Sequence, residues 1–155
     1  MRQVSVIGAG RWGTFLAWYL AEYDKADKVY VYGTENSITF QNLKQNKKNE
    51  YLSLQDRIEL TSNLELTLKS NFIFISINAQ NLKFLSTEIN NYNVQEKTFI
   101  LAMKGIDIKE KKRLSEIVSE KITQDINIAV LLGPGHVEDY TKGIPNCVVI
   151  DGNNK

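Results

Sequence analysis

The chain has 155 residues, 43% of them hydrophobic and 24% charged, enough apolar material for one packed domain. A formal net charge of +1 gives no electrostatic reason to invoke nucleic acid or an anionic membrane. No apolar run reads as a secretory leader or is long enough to cross a bilayer, and the single cysteine, Cys147, has no internal disulfide partner, so a reducing cytoplasm is the expected setting.

The elements follow in chain order. Gln3–Ile7 reads as a buried strand that runs into Gly8-Ala9-Gly10-Arg11-Trp12-Gly13. Trp12, Phe15, Leu16, Tyr19 and Leu20 then recur at helical spacing. In a strand–Gly-x-Gly-x-x-Gly–helix unit each glycine meets a separate demand. Gly8 serves the tight turn, Gly10 the approach of a pyrophosphate to the backbone, and Gly13 the close packing of helix on strand. Unpaired N–H groups and the positive dipole end of the helix then face the phosphates.

A second strand, Lys28–Tyr32, ends in Gly33-Thr34-Glu35. Dinucleotide folds often place a ribose-gripping acid near here. Glu35 lies about two residues late for that role and reads equally well as a first-turn helix acid, so NAD is only slightly favoured over NADP. The Asn-, Lys- and Gln-rich stretch from about 45 to 57 reads as a long loop. Strands follow at 58–60 and 72–77, the latter ending near Asn78 and Gln80. Those two are candidates to line a cofactor cleft, and Asn78 is equally a helix cap. Leu82, Leu85 and Ile89 form a helical face.

The strand 98–102 leads into Met103-Lys104-Gly105, which puts one compact cation at a ligand-binding edge. Leu114, Ile117, Val118 and Ile122 form another helical face, and the strand 126–131 precedes Gly133-Pro134-Gly135-His136-Val137-Glu138-Asp139. That segment opens a helix whose N–H groups point toward a ligand. His136 is the lone histidine; it is a candidate base, more ordinarily a structural residue, and has no metal-ligand companion. The closing strand 147–150 places Cys147 as a buried packing residue. Strands alternating with helices predict an α/β, doubly wound, mostly parallel Rossmann sheet with helices on both faces. The strands 72–77 and 126–131, which lack alternation, are expected at its covered centre.

Together these motifs resemble the N-terminal domain of bacterial NAD(P)-dependent glycerol-3-phosphate dehydrogenase, in order and over nearly the whole chain. The resemblance rests on Val6 to Thr14 with Leu16-Ala17, Tyr51-Leu52, Thr61-Ser62-Asn63-Leu64, Ala102-Met103-Lys104-Gly105, Gly133 to Asp139 and Gly143-Ile144-Pro145. It implies NAD or NADP as cofactor. Arg11 and Trp12 would lie at the pyrophosphate, Thr34 near the adenosine ribose, and Lys104 against both cofactor and substrate. Gly133 and Gly135 would line glycerol 3-phosphate, and Val137 would touch the cofactor. The implied reaction is reversible hydride transfer between glycerol 3-phosphate and the nicotinamide, giving dihydroxyacetone phosphate for phospholipid synthesis.

The chain departs from the family pattern at several positions. Gly135 stands where the family has Ser or Thr, Asn78 and Ser53 where it has Pro, and Thr34 where it has Arg or His. Residues 1–155 are expected to form a single dinucleotide-binding domain, without the family's helical C-terminal domain and its proton-accepting lysine. The chain alone is therefore expected to bind dinucleotide and turn over poorly, because acid–base help and substrate orientation are lost. The alternative is a non-catalytic dinucleotide-binding or interaction module of the same descent. Apolar surface left uncovered predicts self-association, with a homodimer as the expected form.

Overall fold

The computed structural model describes residues 2–23, 25–133, 135–144 and 146–153; Pro134 and Pro145, which belong to two of the motifs above, lie outside them. The strands are β1 (Gln3–Ile7), β2 (Lys28–Tyr32), β3 (Ile58–Thr61), β4 (Phe72–Ile75), β5 (Thr98–Leu101), the short hairpin pair β6 (Ile106–Asp107) and β7 (Lys112–Arg113), β8 (Asn127–Leu132) and β9 (Val149–Gly152). The helices are α1 (Arg11–Glu22), α2 (Ile38–Asn46), α3 (Leu64–Thr67), α4 (Leu82–Ile89), α5 (Leu114–Lys121) and α6 (Val137–Thr141).

Seven strands form one sheet in the order β3-β2-β1-β4-β5-β8-β9, parallel throughout except for β9, which runs antiparallel along β8. This is the expected doubly wound fold. Alternation along β1 explains how both faces are covered. Val4 and Val6 join one core with Leu16, Ala17 and Ala21 of α1 and Phe40 and Leu43 of α2. Ile7 joins the other core with residues of α3, α4 and α5. Ser5 lies on that second side, fully buried, where its hydroxyl donates to Thr67 O at 2.7 Å and bonds Ser70 Oγ at 2.8 Å. A polar residue in a central strand is tolerated because it is satisfied.

The faces read from spacing at 82–89 and 114–122 are buried, but of the five residues read as the face of α1 only Phe15 and Leu16 are; the helix turns Gly13, Thr14, Ala17 and Ala21 inward instead, because these small side chains let it seat closely on the sheet. Leu82, Leu85 and Ile89 pack with Leu114, Ile117, Val118 and Ile122 beneath the sheet, while Tyr19 lies at the rim of its helix and is partly exposed.

Two placements differ from expectation. The strand at 126–131 is β8, next to the edge, and Leu132 at its end is half-exposed; its outer neighbour is only the antiparallel β9. Cys147 is exposed, because the last strand begins at Val149, and residues 146–148 precede it at the open edge. The helix α2 lies just ahead of the polar stretch and is not among the elements that spacing predicts; Ser37 accepts from Phe40 N–H as its N-cap and Lys47 ends it in the left-handed region. No helix among the described residues is long and apolar enough to cross a membrane.

Candidate functional site

The sheet order reverses between β1 and β4, and the glycine turn sits at the carboxyl end of that pair, where open α/β sheets bind ligands. The turn is pinned from both sides: Gly8 N–H donates to Tyr32 O at 2.9 Å, and Ser76 N–H donates to Ile7 O at 2.8 Å.

The three glycines differ in what requires them. Gly8 has φ +118°, and a Cβ there would lie 2.1 Å from Ser76 O. A Cβ on Gly13 would lie 2.0 Å from Gly8 O, so α1 seats against the turn only through a hydrogen. Gly10 is different. Its φ of −77° and ψ of −177° suit any residue, and a Cβ on it would meet nothing within 4 Å. It is the N-cap of α1 and supplies no side-chain cap, so the first N–H groups of the helix face the crevice. The space beside that glycine is left open by the protein.

Around this turn the crevice divides in three. A pocket of about 360 Å³ is lined by Gly8, Gly10, Gly33, Thr34, Ser37, Ser76 and Asn78. Thr34 lines this pocket beside Gly33. Asn78 is the cap that its position allowed, its side chain accepting from Gln80 N–H at 2.9 Å at the start of the 3-10 turn Ala79–Asn81, and it also borders this pocket. Glu35 does not line the pocket. Its carboxylate accepts from Ser62 Oγ at 2.5 Å, Gln41 Nε2 at 2.6 Å and Lys44 Nζ at 3.1 Å. These bonds, that of Ser62 foremost, hold its carboxyl below the usual range. Gln80 is likewise turned away, bonded to Ile106 O and Ile108 N–H across the small hairpin.

The second part is a cleft of about 380 Å³ that gathers Arg11, Trp12, Ser76, Met103, Lys104, Gly133, Gly135, His136 and Val137. The segments after β1, β5 and β8 thus meet as their strand-end positions predict. Lys104 and His136 are exposed at its rim. Val137 is buried, packing with Phe15 and Leu52, which anchors α6 against α1 and the 47–54 loop. The space where a side chain at 135 would project is filled. A Cβ on Gly135 would lie 2.6 Å from the ring of Tyr140, whose hydroxyl is buried without a hydrogen-bond partner among the described residues. Desolvation raises that phenol above its ordinary value of 10.0.

The third part, about 450 Å³, lies between the turn and the 48–51 loop and is lined by Ala9, Gly10, Arg11, Thr14, Lys48 and Tyr51. Arg11 borders both of these last two spaces. Its guanidinium pairs with the carboxylate of Glu138 and lies over the Tyr51 ring, 4.4 Å from the centroid. Sequence reading assigned no role to Glu138, Tyr140 or Ser76. Tyr51 and Glu138 stood in recognised motifs, but only the fold shows that they meet. Among the described residues no three His, Cys, Asp or Glu side chains gather into a metal-holding group.

A glycine turn at the switch point of a doubly wound sheet, with open space at its second glycine, defines a dinucleotide-binding domain of the Rossmann class. Residues 3–155 match the family described as NAD-dependent glycerol-3-phosphate dehydrogenase N-terminus, and the chain belongs to that family. Curated relatives named glycerol-3-phosphate dehydrogenase (NAD(P)+) include one from Exiguobacterium, 33% identical over 97% of this chain and 45% of its own length. Another, from Halothermothrix orenii, is 31% identical over 99% of this chain and 45% of its own. The solved glycerol-3-phosphate dehydrogenase of Coxiella burnetii superposes with a TM-score of 0.86 at 22% identity, covering 99% of this chain and 47% of that one. That of Plasmodium falciparum gives a TM-score of 0.81 at 18% identity, over 99% and 46%. These last two likenesses speak to the fold. The chain spans about half the length of the relatives it matches.

Proposed function

We propose that this chain is the cofactor-holding half of a glycerol-3-phosphate dehydrogenase, forming one dinucleotide-binding domain over residues 1–155 and working in the cytoplasm. The observation that carries the reading is Gly10: neither its dihedrals nor its neighbours demand glycine, so the missing side chain serves a ligand at the N-terminus of α1. A dinucleotide would place its diphosphate at the N–H groups of Arg11 and Trp12, its adenosine ribose beside Thr34 and Asn78, and its nicotinamide in the cleft with Lys104 and Val137. When bound, the cofactor supplies a nicotinamide ring that takes or gives the hydride at C2 of glycerol 3-phosphate or dihydroxyacetone phosphate. Lys104, Gly133 and Gly135 border the space for that substrate, with Lys104 countering its phosphate or polarising its oxygen.

NAD fits this chain better than NADP. The ribose pocket is bordered by Thr34 and Ser37, with no cation among its described lining residues, and the nearby Lys44 is held by Glu35. A second reading, a dinucleotide-binding module without its own turnover, is favoured by Tyr140 occupying the space beside Gly135.

Titration with NADH and NADPH, followed by nicotinamide fluorescence, tests the cofactor reading; saturable binding, tighter for NADH, is the expected result. Absence of binding to the folded chain overturns it. An NADH-oxidation assay with dihydroxyacetone phosphate should give at most background turnover for the chain alone. Adding the helical half of a family member should restore turnover under the first reading and leave it absent under the second.

A further inference from the structure

The Arg11–Glu138 pair bears directly on how the crevice would receive a diphosphate. Arg11 is the first residue of α1, next to the open N-cap Gly10, and borders the spaces on both sides of the turn. Its guanidinium is the cation carried by the helix N-terminus itself, and in the structure it is already engaged by a carboxylate. Glu138 comes from the first turn of α6, 127 positions away in sequence.

An anion arriving at this turn therefore meets a neutralised arginine and a neighbouring negative charge. Phosphate and carboxylate bid for the same planar fork of N–H donors, and one guanidinium does not serve both fully.

Two features let the pair open without disturbing the fold. The side chains are 49% and 38% exposed, so parting them leaves neither charge buried. The helix that carries Glu138 is held separately, through Val137 packed between Phe15 and Leu52. The Tyr51 ring also keeps the guanidinium near the turn once the carboxylate leaves.

We propose that Glu138 sets the affinity of this chain for its dinucleotide, acting as an internal anion that occupies Arg11 until the cofactor diphosphate displaces it. The inference rests on the cofactor reading above and deepens it. Glu138 is a positioning residue here: it acts on the ligand through Arg11.

The test is NADH titration of the wild-type chain and of Glu138→Gln, Glu138→Asp, Arg11→Gln and the Arg11→Gln/Glu138→Gln pair, with thermal melts of each. Glu138→Gln should tighten NADH binding about three- to tenfold at low salt, and Glu138→Asp should bind as the wild type does. Arg11→Gln should weaken binding, and adding Glu138→Gln to it should change affinity less than twofold, because the coupling runs through the guanidinium. A purely structural role for Glu138 would lower the melting temperature and weaken binding instead. Unchanged or weaker binding in Glu138→Gln overturns the inference, as does equal tightening with and without Arg11. Should Glu138→Gln fold poorly, Glu138→Ala is read by the same criteria. A cooperatively melting wild type that binds no NADH defeats the cofactor reading itself, a different outcome from a binder insensitive to residue 138.

Discussion

Gly10 and Gly13 stand three residues apart and are glycine for opposite reasons. At Gly13 the protein itself fills the space: a Cβ would sit 2.0 Å from the carbonyl oxygen of Gly8. At Gly10 it leaves the space empty. The two substitutions should therefore separate folding from binding. Gly13→Ala should destabilise the domain by about 1–3 kcal/mol or more, as overpacking does. Gly10→Val should cost about 1 kcal/mol at the helix cap, keep the circular dichroism of the wild type, and abolish NADH binding. A Gly10→Val protein that binds NADH normally would show that the open space has another use. Both glycines were legible in the sequence, since a strand running into the spaced glycines and then an apolar helix is a local pattern. Gly135 was legible only as a departure; that Tyr140 occupies its neighbourhood required the fold.

Elements show how the same short sequence takes its meaning from its partners. Thr34 and Glu35 follow β2 as adjacent residues, yet Thr34 lines the pocket beside the glycine turn while Glu35 turns to Ser62 beyond β3 and to Gln41 and Lys44 of α2. Its carboxyl is held below the ordinary 4.5, so the stability these contacts contribute is fully present above that pH and is lost as pH falls through the lowered value. Ser62→Ala should accordingly lower the melting temperature slightly at neutral pH. The difference from wild type should shrink as the solution is taken below pH 4.5 and vanish once Glu35 is protonated. A difference independent of pH would mean that Ser62 acts through packing alone. Spacing left Glu35 open between a ribose ligand and a helix acid because sequence does not say which neighbour a surface carboxylate will meet. The helix α2 was hidden for a related reason: only Phe40 and Leu43 of its nine residues are buried, too few to mark a face by spacing.

At the scale of the whole molecule the two faces of the sheet are unequally covered. Beneath β5 and β8 lie α4 and α5, whereas on the α1 side an apolar groove of about 230 Å³ runs between Trp12, Phe15 and Leu16 of the helix, Phe74, Leu131 and Ile150 of the sheet, and Val148 just before β9. At its margin β9 presents an unpaired antiparallel edge, with Val149 and Ile150 more than half exposed. Self-association is the expected outcome for the chain alone, and Ile150→Lys should shift it toward monomer in sedimentation velocity without lowering its melting temperature. A wild-type chain that is monomeric at high concentration would count against this.

Length, strand–helix alternation and the glycine turn determined the doubly wound fold, the location of its crevice and the dinucleotide class, because each depends on periodicity or backbone conformation within a few neighbouring residues. The tertiary structure alone decided that Arg11 is answered by Glu138, that Tyr140 takes the space at Gly135, that Glu35 does not line the pocket beside the glycine turn, and that Cys147 lies exposed at an open edge. Those outcomes turn on which distant segments share a surface, and on which strand is left without a neighbour.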